Sequence, residues 1–269
     1  MAPTIKPVPD TKLTAQKPLP TPVHITRLLH YLEGFPQDHK QYLYNGFTEG
    51  FRLGFEGNNH EYTAKNSRTT ALHPDAVTDK ITKELSEGRI SGPYSTPPFE
   101  HFRSSPLGVR PKKEDNKWRI LHNLSYPYDT DSVNHAIPKE LKTVSYATID
   151  DATQLIAHIG NGTWLAKSDF RSAFKLIPIH PSDYHLLGFS WQGFYYYDMT
   201  LPMGAGSSCQ IFEKFSSCID WILRNKFQVT VLHYLDDFLF LAPDQKTCTQ
   251  YLQTFLTLCD DLGVPIAHK

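Results

Sequence analysis

The sequence predicts an α+β fold, with strand pairs and amphipathic helices alternating along the chain. Three observations predict it. Residues 229–242 form a β-rich apolar run interrupted by Asp236 and Asp237, the pattern of a buried hairpin with two carboxylates at its tip. Residues 73–88 place Val77, Ile81 and Leu85 on one helical face, with Pro74 near the start and Gly88 as the stop. A chain of 269 residues that is 40% hydrophobic and 13% aromatic has enough apolar surface for a sizeable core in one or two domains.

The elements follow in order. Residues 1–22 carry Pro3, Pro7, Pro9, Pro18, Pro20 and Pro22 with few large apolar side chains, and read as a disordered leader. In 23–72, the spacing of Ile25, Leu28, Leu29 and Leu32, then Tyr42, Leu43 and Phe47, predicts two short helices. After the 73–88 helix, Leu107 to Lys112 and Lys117 to Leu121 bracket Glu114, Asp115 and Asn116, which is turn chemistry between two strands. A helix is predicted over 148–159, with Asp150 and Asp151 in the first turn, where negative charge favours the helix dipole. A short strand from Thr163 ends at Asp169, followed by a polar turn and then Phe174. Helices are predicted over 212–223 and 247–262, the second turning Leu252, Phe255, Leu256 and Cys259 toward a sheet.

Two adjacent carboxylates beside a core repel one another and lose hydration. A divalent cation removes that cost, and Mg²⁺ prefers carboxylate oxygens while leaving room for phosphates, so the pair points to metal-assisted phosphoryl transfer. Asp-Asp also suits an ordinary solvated turn, but Tyr234-Leu235 before it and Phe238 to Leu241 after it ask for burial on both faces. Such chemistry needs a carboxylate from a second segment. Asp169, at the end of another apolar strand, supplies one, although a strand-terminal Asp taken alone is more often a helix cap or turn former.

Asp169 with Phe174, then Leu201-Pro202-Met203-Gly204 running into Gln210-Ile211-Phe212, then Tyr234-Leu235-Asp236-Asp237 occur in the order and spacing of the palm motifs of reverse transcriptases. Upstream, Lys112 to Arg119 resembles the basic fingers hairpin of the same enzymes. The resemblance spans roughly residues 88–269, and four ordered motifs make it specific. Within the family, Gly88 to Pro93, Ser105 to Gly108, Asn123 to Ser125, Ser132 to Asn134 and Leu262 to Ile266 look most like retrotransposons of the DIRS type.

The resemblance implies a right-hand polymerase core of fingers and palm, with an antiparallel palm sheet backed by helices and the thumb missing. It divides the chain into a leader (1–22), an N-terminal helical extension (23–72), fingers (73–160) and palm (161–269). The extension would pack on the fingers or form the edge of a preceding domain. By the same resemblance, Asp169 and Asp236 would hold two Mg²⁺ ions, with Mn²⁺ as a substitute, Asp237 and Phe170 would support the metal site, and backbone groups near Phe170 and Arg171 would also reach the phosphates. Lys112 and Arg119 match positions that hold the triphosphate. Phe174 matches the residue beneath the sugar, where a bulky ring excludes a 2′-hydroxyl. Pro202, Met203 and Gly204 would support the templating base and the nucleotide, and Lys113, Lys117 and Tyr234 would meet template or primer. Met203 stands where many relatives carry Gln, and Asn123 where many carry Asp. The partners implied are an RNA or DNA template-primer and deoxynucleoside triphosphates. A catalytically silent nucleic-acid-binding relative and a palm-fold nucleotidyl cyclase are the alternatives.

The net charge of −1 gives no overall basic field for nucleic acid. Locally, Arg103, Arg110, Lys112, Lys113, Lys117 and Arg119 outnumber Glu114 and Asp115, which predicts a basic patch. Cys209, Cys218, Cys248 and Cys259 lack metal-ligand spacing and read as reduced thiols. No apolar run reaches membrane-spanning length and the N-terminus has no signal-peptide core, so an intracellular protein with no membrane partner is expected.

Overall fold

Alternating β-branched and aromatic residues pair as predicted, and the helices lie where apolar periodicity places them. The computed structural model describes residues 18–112, 117–128 and 131–267. In chain order, α1 (Ile25–Tyr31) and α2 (Gln37–Glu49) precede β1 (Tyr62–Thr63), α3 (Arg68–Leu72), α4 (Pro74–Ser86) and β2 (Ile90–Tyr94). Next come β3 (Arg103–Ser104), β4 (Leu107–Pro111), β5 (Trp118–His122), α5 (Ile149–Ile159) and β6 (Trp164–Asp169). The chain continues through β7 (Gly188–Trp191), β8 (Phe194–Asp198), α6 (Ser208–Phe227), β9 (Val231–Tyr234), β10 (Asp237–Ala242) and α7 (Gln245–Asp261).

The described strands form a mixed sheet in the order β1-β3-β7-β8-β2, a three-stranded antiparallel sheet β6-β10-β9, and the β4-β5 hairpin. The first sheet crosses the expected fingers–palm boundary at 160/161, because β7 and β8 pair with β3 and β2. Hairpins join β4 to β5, β7 to β8 and β9 to β10, whereas β2-β8, β3-β7 and β6-β10 join segments far apart in the chain.

The three-stranded sheet is backed by α6 and α7. Phe170, Phe212, Phe215, Phe238 and Phe255 meet behind it, with ring centroids 4.9 Å apart for Phe238 and Phe255 and 5.1 Å for Phe170 and Phe238. All five are buried. Burying an aromatic side chain contributes about 1.5–3 kcal/mol, so this cluster is the main anchor of the hairpin that carries Asp236 and Asp237. Both α5 and α7 are capped by their own sequence. Thr148 and Asp151 form a capping box on α5, and Asp244 Oδ1 accepts from the Thr247 amide at the start of α7.

Three expectations are corrected. Residues 1–17 lie outside the described residues, but the end of the expected leader is packed: Thr21 Oγ1 donates to Leu176 O at 2.7 Å, beside the buried Val23 that opens the extension. Within the N-terminal extension, α1 and α2 pack on α6 and the end of α7, whereas residues 62–69 meet the expected fingers: β1 pairs with β3, and the Leu107 and Val109 amides of β4 donate to Asn66 Oδ1 and Thr69 Oγ1. Phe47 meets Phe215 at 5.4 Å, Phe35 meets Trp221 at 5.2 Å, and Arg27 pairs with Asp261, because the apolar faces of α1 and α2 match the outer face of α6. Arg103, counted in the basic patch, is buried instead, over the Phe55 ring and paired with Asp131 at 3.8 Å. No helix among the described residues is long and apolar enough to cross a membrane.

Candidate active site

The antiparallel register of β6 and β10 sets Asp169 directly opposite Asp237, and the β9–β10 turn places Asp236 beside them. Two backbone bonds lock the meeting point: the Phe170 amide donates to Asp236 O at 3.2 Å, and the Ala267 amide to Asp169 O at 2.9 Å. Tyr234 and Asp237 are paired across a two-residue turn whose first residue, Leu235, has φ +53°. Glycine is usual in that conformation, and a bulky side chain held there costs of order 1–3 kcal/mol. Ser172, in the turn after Asp169, is also left-handed at φ +55°. Strain of this kind concentrates where geometry matters for function.

Lys167, which sequence reasoning missed, belongs to this group. Its Nζ lies 2.9 Å from Asp237 Oδ1. The bond to Asp237, that residue's charge and then those of Asp169 and Asp236 raise the lysine above its ordinary range, so the three carboxylates make one negative field. Alternation along β6 would have found it, since residues 167 and 169 share a strand face.

Among the described residues no group of three or more His, Cys, Asp and Glu is arranged to hold a metal ion by itself. The chemistry of the donor set still fits a hard divalent cation, because it offers only carboxylate oxygens, from two chain segments, in a field that already attracts an ammonium group. Two of the backbone donors near the site are already engaged. The Phe170 amide is bonded to Asp236 O and the Arg171 amide to Pro265 O at 2.8 Å, so neither donor faces outward. The Phe170 ring is in the core.

Phe174 is almost fully buried, stacked 5.0 Å from Phe212, in a 3-10 turn over Ala173–Leu176. Met203 is 66% exposed while Pro202 is buried. Gly204 is required by a close approach: a Cβ there would lie 2.2 Å from His122 O. That contact is with β5 and not with a ligand. Asn134, quoted above only for family wording, shapes the loop. Its Nδ2 donates to Gly204 O at 2.8 Å and its Oδ1 accepts from the Gly206 amide at 2.6 Å.

On the β4-β5 hairpin, Arg110 and Arg119 are opposite one another and exposed, as are Lys112 and Lys117. Lys113 lies outside the described residues. Trp118 stacks on His73, with centroids 3.6 Å apart, which ties the hairpin to α4. Tyr234 is half exposed and braced by Tyr146 at 4.5 Å.

A second, mostly buried group supports the hairpin that carries Asp236 and Asp237. His233 on β9 places Nε2 2.9 Å from Glu213 Oε1 and Nδ1 3.3 Å from Asp220 Oδ1, both on α6. Arg224 bridges Asp220 and the Val231 carbonyl. Burial alone would lower the His233 ring, but Asp220 and Glu213 outweigh it and raise it to about 9.

The chain is similar to several viral proteins. Protein P of duck hepatitis B virus (isolate white Shanghai duck S31) is 22% identical over 193 residues, covering 64% of this chain and 24% of that protein. The Gag-Pro-Pol polyprotein of human T-cell leukemia virus 2 is 27% identical over 205 residues, covering 72% of this chain and 13% of the polyprotein. The chain thus spans a quarter or less of these relatives. The crystal structure of native prototype foamy virus protease-reverse transcriptase shares the fold with a TM-score of 0.60 at 22% identity, over 90% of this chain and 32% of that one. Residues 111–269, more than half of the sequence, match the family described as reverse transcriptase (RNA-dependent DNA polymerase), and this chain belongs to that family.

Proposed function

We propose that the chain is a polymerase module that extends a primer 3′-hydroxyl with deoxynucleotides on an RNA or DNA template. One observation carries the reading: Asp169 and Asp237 face each other across β6 and β10, with Asp236 in the adjoining turn. Residues 73–160 would supply the fingers and 161–269 the palm, with β7 and β8 of the latter completing the fingers-side sheet.

Asp169 and Asp236 would hold two Mg²⁺ ions, or Mn²⁺, with Asp237 in support. When bound, such ions lower the pKa of a hydroxyl nucleophile and neutralise phosphate charge. The remaining work belongs to the chain's own groups. Lys112 and Arg119 orient the triphosphate and stabilise charge on it, Arg119 through a planar fork suited to phosphate oxygens. The Arg171 side chain is a further candidate for the phosphates. Phe174 closes the space beside the sugar, and Met203 and Gly204 border the nucleotide. Pro202, Tyr234, Lys117 and Lys113 are assigned to template and primer. The wording between the motifs further supports an origin in a retrotransposon of the DIRS type.

The test is extension of oligo(dT) on poly(rA) by the full 269-residue chain with dTTP and Mg²⁺, beside an Asp236→Asn, Asp237→Asn variant. Extension by the wild type alone is expected, and EDTA should abolish it. A folded wild-type chain that binds template-primer without extending it would instead favour the silent relative.

A further inference from the structure

Three elements assigned above to the nucleotide converge on buried side chains that the proposed chemistry does not use. His122 ends β5, three residues after Arg119. Its carbonyl is the atom against which Gly204 is packed. Its ring Nε2 lies 3.0 Å from Gly188 O on β7, and Nδ1 lies 3.1 Å from Asp198 Oδ2 at the end of β8. The other oxygen of Asp198 accepts from Lys175 Nζ at 2.6 Å, and Lys175 directly follows Phe174. The side chains of His122 and Asp198 are each 9% exposed, and that of Lys175 17%. Burial alone would raise the Asp198 carboxyl, but Lys175 and His122 outweigh it and hold it at about 2.

We propose that Asp198 is a positioning residue: with His122 and Lys175 it forms a buried latch that sets the spacing between Arg119, the Phe174 ring and Met203-Gly204, and thereby the fit of the deoxynucleoside triphosphate. This rests on the polymerase reading above. A buried ion pair is weak support for stability, since apolar replacements of similar volume are often as stable. Here the pair has a geometric consequence instead. It joins segments near 122, 175 and 198, which are separate in the chain and lie next to Arg119, Phe174 and Thr200 to Gly204 in sequence.

The test uses the full chain and two variants. Asp198→Asn removes the charge at constant size. His122→Phe keeps the ring packing on Phe189, removes both ring bonds and leaves Lys175 paired, so it guards against misfolding of the first variant. Single-nucleotide extension gives KM for dTTP, kcat and the dTTP-to-UTP preference, and equilibrium binding of dTTP in the presence of template-primer and Ca²⁺ reads the site without turnover. Losing one or two buried hydrogen bonds should raise KM and Kd for dTTP about three- to tenfold and lower the sugar preference, with template-primer affinity unchanged. Folded variants with wild-type KM, Kd and sugar preference would overturn the latch alone. A wild type that binds dTTP without extending it would overturn the polymerase reading while the variants' Kd still decides the latch. A folded wild type that neither binds nor extends would overturn both.

Discussion

Lys167 Nζ and Asp237 Oδ1 are 2.9 Å apart, so an ammonium group occupies the edge of the carboxylate cluster that is proposed to take metal. Both side chains are about half exposed, and such pairs are worth at most about 1 kcal/mol. Lys167→Ala should therefore strengthen the apparent affinity for Mg²⁺ by no more than about fivefold. Titration of primer extension with Mg²⁺, together with binding of a luminescent lanthanide, measures this. A weaker affinity in the variant would mean that Lys167 orders the carboxylates instead of competing for them.

Phe174 is held by Phe212 at 5.0 Å, so its ring cannot swing aside to admit a larger sugar. Phe174→Val should lower the preference for deoxynucleotides over ribonucleotides by about 10- to 100-fold, the range for a change of pocket shape. Competing dTTP and UTP on one template is the measurement, and an unchanged ratio would remove Phe174 from the sugar site.

His233 carries a pH signature. Its folded value is raised from 6.5 to about 9, so its stabilisation is complete below about 6.5 and is lost as pH rises through about 9. The melting temperature should fall over that interval in the wild type and stay flatter in His233→Gln. His233→Ala leaves the mostly buried Glu213 without its cation, while Asp220 keeps Arg224, and should cost about 3 kcal/mol. Thermal unfolding between pH 6 and pH 10 checks both statements.

Lys112 and Arg119 are exposed on the β4-β5 hairpin and tied to the core through Trp118 and His73. Replacing either by Ala should raise KM for dTTP about 10- to 100-fold with little change in melting temperature, as expected for a charged hydrogen bond to phosphate. Arg119→Lys should recover only part of the loss, since a point charge does not reproduce the planar fork. Steady-state kinetics with matched thermal scans separates these outcomes.

Local chemistry made much of the architecture readable. The apolar run around Asp236 and Asp237, the strand ending at Asp169 and the helices behind them are written in residue spacing, because periods of 2 and 3.6 record which face each element buries. The same logic failed for Arg103, which sequence groups with the basic residues from Arg110 to Arg119 while its neighbours in space are Asp131 and Phe55. It also failed at residues 18–22, where proline-rich sequence still docks through Thr21. Proline content reports low local propensity and says nothing of what a distant surface offers.

By itself the sequence determined the element types, the order of the motifs and the three aspartates that define the candidate site. Only the tertiary structure decided that Asp169 lies opposite Asp237, that Lys167 joins them, that His233 is charged between Glu213 and Asp220, and that His122, Asp198 and Lys175 meet beneath the hairpin. The reason is physical: propensity and periodicity act over a few neighbouring residues, whereas strand register, buried charge pairing and close backbone approach depend on groups tens of residues apart, brought together by the packing of the whole core.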